Sequence, residues 1–365
     1  MQKPNLFQAL VIALWFGIFT PAGAQDNASY DPQQNAWRLY YQDTETDEWV
    51  NKSYIARTAT DPKIKTTIIW KGNQFAYNYR VQNGSKARQT VGIIQIWGIP
   101  QVSPPQSLPT VTASIRVDQH LWMQQSYDRH LAKSKWDTSI VQSPKGWSGN
   151  LATNEKTQQT SFIWLPGLRD TDSDGVEPGQ SVSGFSVIRP ELPGVARTLV
   201  QGRIEEPWVL DILPDTPFWK QKVEEIQNQD YLLIPVLAPV IQIPQPYNGA
   251  ELARRVKAHV QTWVKYGHAT ADTVDKLNRQ FVVMIPALEA GNKTGVKESA
   301  IAMLTETFRH HPGMTHKNCD EDEDMHDGAS MKHPHKVSST ATAQAMDRTA
   351  ARVLTFDLMY LLSRM

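Results

Sequence analysis

The sequence predicts an all-β plus all-α chain, with an antiparallel Ig-like β-sandwich over residues 25–206 and a small helical bundle over 248–365. Three observations carry this. From Trp37 to about Glu206, short runs of β-branched and aromatic residues alternate with Gly, Pro and Asn, as in antiparallel strands joined by tight turns. From Asn248 onward the apolar spacing lengthens to the helical repeat. No strand–helix alternation of the kind a dinucleotide fold requires appears anywhere.

In chain order, residues 1–24 read as a secretory signal. Lys3 gives a positive start, Leu6–Phe19 is almost wholly apolar, Pro21 breaks a helix and Ala22-Gly23-Ala24 supplies small residues for cleavage after Ala24. The apolar run falls short of the roughly 20 residues a spanning helix takes. The residue directly after the cleavage site is Gln25 and not cysteine, which excludes a lipoprotein. The expectation is a bacterial protein of the periplasm or the extracellular space, with no stable membrane insertion after cleavage.

In the β-half, Lys65–Trp70 is β-branched and aromatic, and Phe75, Tyr77, Tyr79 and Val81 alternate with polar or small residues. Lys71-Gly72-Asn73 and Asn83-Gly84 read as turns. Val91–Ile99, Thr110–Val117, Ser161–Leu165, Ser181–Ile188 and Arg197–Ile204 are further strand candidates. Residues 207–247 form a connector with a short helix at Phe218–Gln229. Its apolar stretch carries Pro235, Pro239, Pro244 and Pro246, which forbid a membrane helix and favour an extended path over a domain surface.

In the helical half, Leu252, Val256, Val260, Trp263 and Val264 share one face, capped by Asn248 and stopped by Gly267. Val274 to Leu288 forms a second helix that Pro286 should kink or shorten and Gly291 should end. Val296, Ala300, Met303 and Leu304 mark a third, and Met346, Ala350, Val353, Leu354, Asp357, Leu358 and Leu361 a fourth. Four amphipathic helices can close a small bundle.

Composition bounds the function. The 365 residues allow two or three domains with cores of their own. With 37 basic against 37 acidic residues, the net charge of zero excludes a surface wholly devoted to nucleic acid or anionic lipid. One cysteine excludes an intrachain disulfide and a Cys-only zinc site.

Tyr77-Asn78-Tyr79-Arg80-Val81-Gln82-Asn83-Gly84, together with Glu177–Ser186 and Leu192-Pro193-Gly194-Val195, resembles segments of secreted bacterial β-sandwich modules. The helical half, through Gly267, Leu277, Leu288, Gly291-Asn292-Lys293 and its last helix, is similar to small C-terminal modules of the FIMAH type. The resemblance covers about half and about a quarter of the mature chain respectively. It implies an exported, non-catalytic binding or surface protein. This chain departs from the helical module by a long polar insertion before the fourth helix.

That insertion, 309–336, reads RHHPGMTHKNCDEDEDMHDGASMKHPHK. It concentrates His310, His311, His316, His326, His333 and His335, six of the ten histidines, with Met314, Met325, Met331 and Cys319, the lone cysteine. Imidazole suits copper, nickel and zinc, and thioether and thiolate suit copper(I), so the methionines favour copper. The acidic run Asp320–Asp324 raises the local cation concentration. The tract resembles the Met/His-rich segments of periplasmic copper-handling proteins. The opposing interpretation is a solvated polar loop, because the spacing is not fixed as in paired Cys-x-x-Cys units. Five acids directly after Cys319 raise the pKa of its thiol, which makes it a donor rather than a nucleophile.

Other signals are weaker. Asp170, Asp172 and Asp174 precede Gly175 as in a calcium loop, but the twelfth position is Ser181 where an EF-hand needs Glu, so a polar inter-strand loop is preferred over calcium. Twelve tryptophans could stack on sugar rings, though core packing explains most such residues. His120 and His130 with Asp118 and Asp128 would be needed for a hydrolase, and Gly146-Trp147-Ser148-Gly149 supplies no nucleophile elbow. The expectation is therefore a non-enzymatic metal-binding or metal-buffering protein acting through 310–335. The alternative is a surface interaction module whose β-half binds a protein or glycan, with the loop as spacer.

Overall fold

The computed structural model describes residues 25–72, 74–99, 141–154, 159–167, 175–203, 210–311 and 345–365. Among them the chain forms three antiparallel sheets and five α-helices. The predicted strand at Thr110–Val117 lies outside the described residues. Two compact units are present, one within Met1–Tyr54 and Glu206–Ile226, the other within Ile55–Glu205 and Gln227–Met365.

The first unit holds β1 (Asn27–Asp31), β2 (Ala36–Gln42) and β3 (Trp49–Ile55) in the order β1-β2-β3. Period-two alternation buries Trp37, Leu39 and Tyr41 of β2 and leaves Arg38 and Gln42 exposed. Tyr41 meets Trp219 edge-on, with ring centroids 6.0 Å apart. Trp219 belongs to helix α1 (Pro217–Gln229), whose backbone begins against the Thr216 hydroxyl.

The second unit contains two sheets. One has the order β4-β5-β10-β7, with β4 Pro62–Lys71, β5 Gln74–Asn83, β7 Val141–Gln142 and β10 Ser181–Arg189. The other has the order β12-β11-β6-β9-β8, with β6 Val91–Ile99, β8 Trp147–Asn154, β9 Gln159–Pro166, β11 Leu192–Gly202 and β12 Leu232–Ile241. The alternation in β5 has a direct cause: Tyr77, Tyr79, Val81 and Asn83 all point inward. Tyr79 packs on Trp164 of β9, and Trp164 and Trp147 close on Phe185 of β10. Asn83 does more than end a strand. Its buried amide donates to the carbonyls of Gln89 and Val176, and its side-chain oxygen accepts from Asp61 N–H. Gly84 then admits the Asp61 carboxylate where a Cβ would collide.

The stretch expected to run as a connector contains β12, paired antiparallel with β11 from Leu192↔Ile241 to Val200↔Leu232. Strand status survives the prolines because β12 is the edge of its sheet. Pro235 and Pro239 are four residues apart, so both place their missing N–H on the same side of the strand, and an edge strand leaves one side unpaired.

The helices α2 (Gly249–Tyr266), α3 (Ala271–Glu289), α4 (Lys293–His310) and α5 (Arg348–Ser363) follow. Asn248, Thr270, Asn292 and Asp347 each cap one through a side-chain oxygen, a contribution of about 1 kcal/mol apiece. Gly267, in the left-handed region at φ 75°, ends α2. Pro286 does not stop α3, which continues to Glu289. The bond it forfeits would reach back to exposed Val282, where water can substitute.

These helices share one continuous apolar core with the two sheets of their unit. From α5, Phe356 and Tyr360 stand edge-on to Phe75 of β5, and Arg352 donates to the Thr66 carbonyl of β4 at 2.8 Å. Among the described residues no helix is long and apolar enough to cross a membrane.

Candidate functional site

The structure gives the insertion a defined root. Helix α4 runs through Arg309 and His310, so the tract predicted as loop from 309 starts inside a helix, and His311 is its C-cap. The His311 ring Nε2 lies 3.0 Å from the Met346 carbonyl, on the returning chain. That returning chain pairs at once with the α2–α3 connection. Thr270 N–H donates to Ala345 O, Asp347 N–H donates to His268 O, and Ala269 bridges Met346. The chain thus leaves at 311 and re-enters at 345 at one place.

His268 is the chemically notable side chain there. Gly267 turns the backbone out of α2 and lets His268 N–H donate to Trp263 O. The His268 Nδ1 lies 2.7 Å from Asp347 Oδ2, while Asp347 Oδ1 accepts from Ala350 N–H at the start of α5. A carboxylate that accepts on both oxygens and faces Nδ1 holds the ring in one orientation, the kind of contact that orients metal-ligating imidazoles. His259, from α2, is half-buried near it. Its Nε2 accepts from Val195 N–H at 2.9 Å. Burial, with a smaller contribution from His268, pushes the His259 ring down to about 4, so it is neutral at pH 7. Gly194 makes this approach possible, since a Cβ there would press on His259 Nε2 and Val240. Neither histidine was anticipated as a site residue. The signal available was a polar ring on or just beyond an otherwise apolar helix face, which sequence alone assigns to the surface.

Of the expected donors, His310 lies at the end of α4 and His311 at the root. Met314, His316, Cys319, Met325, His326, Met331, His333 and His335 lie outside the described residues, as do Asp170, Asp172 and Asp174, and Asp118, His120, Asp128 and His130. Among the described residues no three His, Cys, Asp or Glu side chains converge as a metal site. Gly175, which ends the D-x-D-x-D-G run, has φ 110° and feeds the antiparallel bridge Val91↔Val176, which accounts for the glycine by backbone geometry.

A second polar feature sits in the core. Asp357 of α5 is fully buried, and neither carboxylate oxygen has a hydrogen-bond partner. Desolvation raises its carboxyl well above the ordinary range. Nearby, Tyr77 donates to the Glu191 carbonyl at 2.7 Å, and Arg189 grips the Glu191 carboxylate bidentately at 2.8 and 2.7 Å. The sequence placed Asp357 on the apolar face of its helix but attached no role to it.

Comparison with family models, with curated proteins and with solved structures finds no match to this chain.

Proposed function

We propose that this is an exported, non-enzymatic protein that binds or buffers a transition metal, copper above nickel or zinc, through the donors of 310–335. Its compartment in this reading is the bacterial periplasm or the extracellular space. The observation that carries the reading is the clustering of six histidines, three methionines and the single cysteine in one segment. Two features support it. The described residues on either side of the segment, His311 and Ala345–Asp347, are anchored at one place. The oriented His268 beside that root adds a fixed imidazole to whatever the segment supplies. A long tract of mixed soft and borderline donors suits capture and hand-over better than catalysis, which requires a fixed open position. The same reading takes the two large sheets as an Ig-like sandwich and α2–α5 as a small bundle.

The test replaces 312–344 by a short Gly-Ser linker, which keeps His311 and its bond to Met346. Wild type should take up copper(I) and copper(II) in calorimetry and retain metal through desalting. The linker variant, with unchanged circular dichroism, should not. Equal uptake by both proteins would refute the proposal.

A second reading, a surface interaction module that binds a protein or glycan, has one observation in its favour. On the β1-β2-β3 sheet, Tyr40 and Trp49 stack with centroids 4.9 Å apart and planes at 19°, with Trp49 exposed. Exposed stacked rings are a surface on which a pyranose can lie. Glycan-array binding lost in Trp49→Ala, with no metal uptake by wild type, would favour this reading over the first.

A further inference from the structure

Away from the root of the insertion, three aromatic rings surround one cation. The Arg364 guanidinium carbon lies 5.1 Å from the Tyr360 ring centroid, 5.7 Å from Trp70 and 5.9 Å from Tyr247. All three distances are within the range over which a ring quadrupole attracts a cation. The rings come from separate elements: Trp70 from the end of β4, Tyr247 from the chain between β12 and α2, and Tyr360 from α5.

Two of the three walls are held independently of Arg364. The Trp70 indole N–H donates to Gly72 O across the β4–β5 turn. Tyr360 is buried edge-on against Phe75 and lies 5.3 Å from Trp70. Tyr247 stands at the rim, with its phenol near that of Tyr360. The Trp70 and Tyr360 walls are therefore preformed, while the mouth is open: Trp70 is 45% exposed, Tyr247 is 41% exposed, and Arg364 itself is exposed. Among the described residues no carboxylate pairs with Arg364. The faces of the rings, rather than an ion pair, hold the guanidinium.

Such walls offer π-faces and few hydrogen-bond acceptors. They match a cation that needs no hydrogen bonds better than one that must replace several. A quaternary ammonium meets this condition, because its charge is spread over methyl groups and its desolvation on entry costs less than that of a guanidinium or an ammonium. We propose that Trp70, Tyr247 and Tyr360 form an aromatic cage for a ligand bearing a trimethylammonium group, with Arg364 as its built-in competitor. The guanidinium of Arg364 is tethered by its own side chain to the end of α5, which makes the tether short. A short tether gives the competitor an effective concentration on the order of millimolar. An external ligand must therefore displace Arg364, and removing Arg364 should expose the full affinity of the site.

The experiment uses the full chain and titrates choline by calorimetry into wild type, Arg364→Ala and the double variant Trp70→Ala/Arg364→Ala, with sodium chloride matched throughout. Arg364→Ala should bind choline about tenfold more tightly than wild type. The double variant should lose that binding. Its uncharged isostere, 3,3-dimethylbutan-1-ol, should not bind Arg364→Ala. Tyr247→Ala/Arg364→Ala serves as a second wall variant in case the loss of Trp70 disturbs folding. Phosphatidylcholine vesicles are the second arm. Co-sedimentation that choline reverses assigns the trimethylammonium group to a lipid headgroup, and choline binding without co-sedimentation assigns it to a soluble ligand. Either result supports the cage. The proposal is overturned if folded Arg364→Ala binds choline no better than wild type, if both wall variants bind as well as Arg364→Ala, or if the uncharged isostere binds equally.

Discussion

Asp357→Asn should change how stability depends on pH, and His259→Gln should change it in the opposite sense. Asp357 is wholly buried with both oxygens unpartnered, and its folded pKa is raised well above the ordinary value. The folded chain keeps this proton while the unfolded chain releases it above about pH 4, so the contribution is full below that pH and is lost as pH rises, at about 1.4 kcal/mol per unit. For His259 the folded pKa is lowered to about 4. The unfolded chain takes up a proton below about pH 6.5 that the folded chain refuses, so stability is lost as pH falls from about 6.5 towards 4 at the same rate. Between those limits the two slopes oppose one another in wild type. Removing Asp357 should leave the His259 slope bare, worth about 3 kcal/mol across the window. Removing His259 should leave a mirror-image fall. Urea unfolding followed by tryptophan fluorescence at half-unit steps from pH 4 to 6.5 measures this. The quantity read is the difference between variant and wild type, in which the remaining carboxylates drop out. A pH-independent difference for Asp357→Asn would refute the reasoning, because it would mean that Asp357 does not retain its proton in the folded chain.

Three further outcomes follow from local geometry. Arg189→Leu should destabilise by about 3–5 kcal/mol, since it leaves the buried Glu191 carboxylate without its bidentate guanidinium, whereas replacing both by leucine should cost much less, as a double-mutant cycle in urea will read. Gly175→Ala should cost about 2 kcal/mol or more, because φ 110° and the Val91 carbonyl both oppose a Cβ, and a drop in thermal midpoint checks it. Asp347→Ala removes the α5 cap and the partner of His268 together, and should lower stability by about 1–2 kcal/mol in the same assay.

Much of the secondary structure was legible, for reasons visible in single residues. The alternation at Phe75–Val81 marked β5 because one face of that strand is wholly buried, and Asn248 and Gly267 marked the ends of α2 because their side-chain chemistry is local. The paired strand β12 was less legible. Its prolines suggest an extended path over a domain surface with no pairing of its own, and only its position at a sheet edge, a property of the topology, admits them in a paired strand. Pro286 misled in the same manner, because its cost depends on where the lost bond falls. The candidate site was legible only as a donor-rich composition. That His268 is aimed by Asp347, 79 residues away, and that His259 accepts from Val195 N–H depend on pairings that no local window contains.

The short pairing of 268–270 with 345–347 also bears on how this chain can change. Once the two ends of a segment are clamped together, its length enters stability only through loop-closure entropy, and doubling it costs about 0.6 kcal/mol. The position between α4 and α5 is therefore a docking port in the engineering sense. Segments of different length, composition or even independent fold can be grafted there, or new chain ends opened there, with the clamp holding the surrounding helices in register.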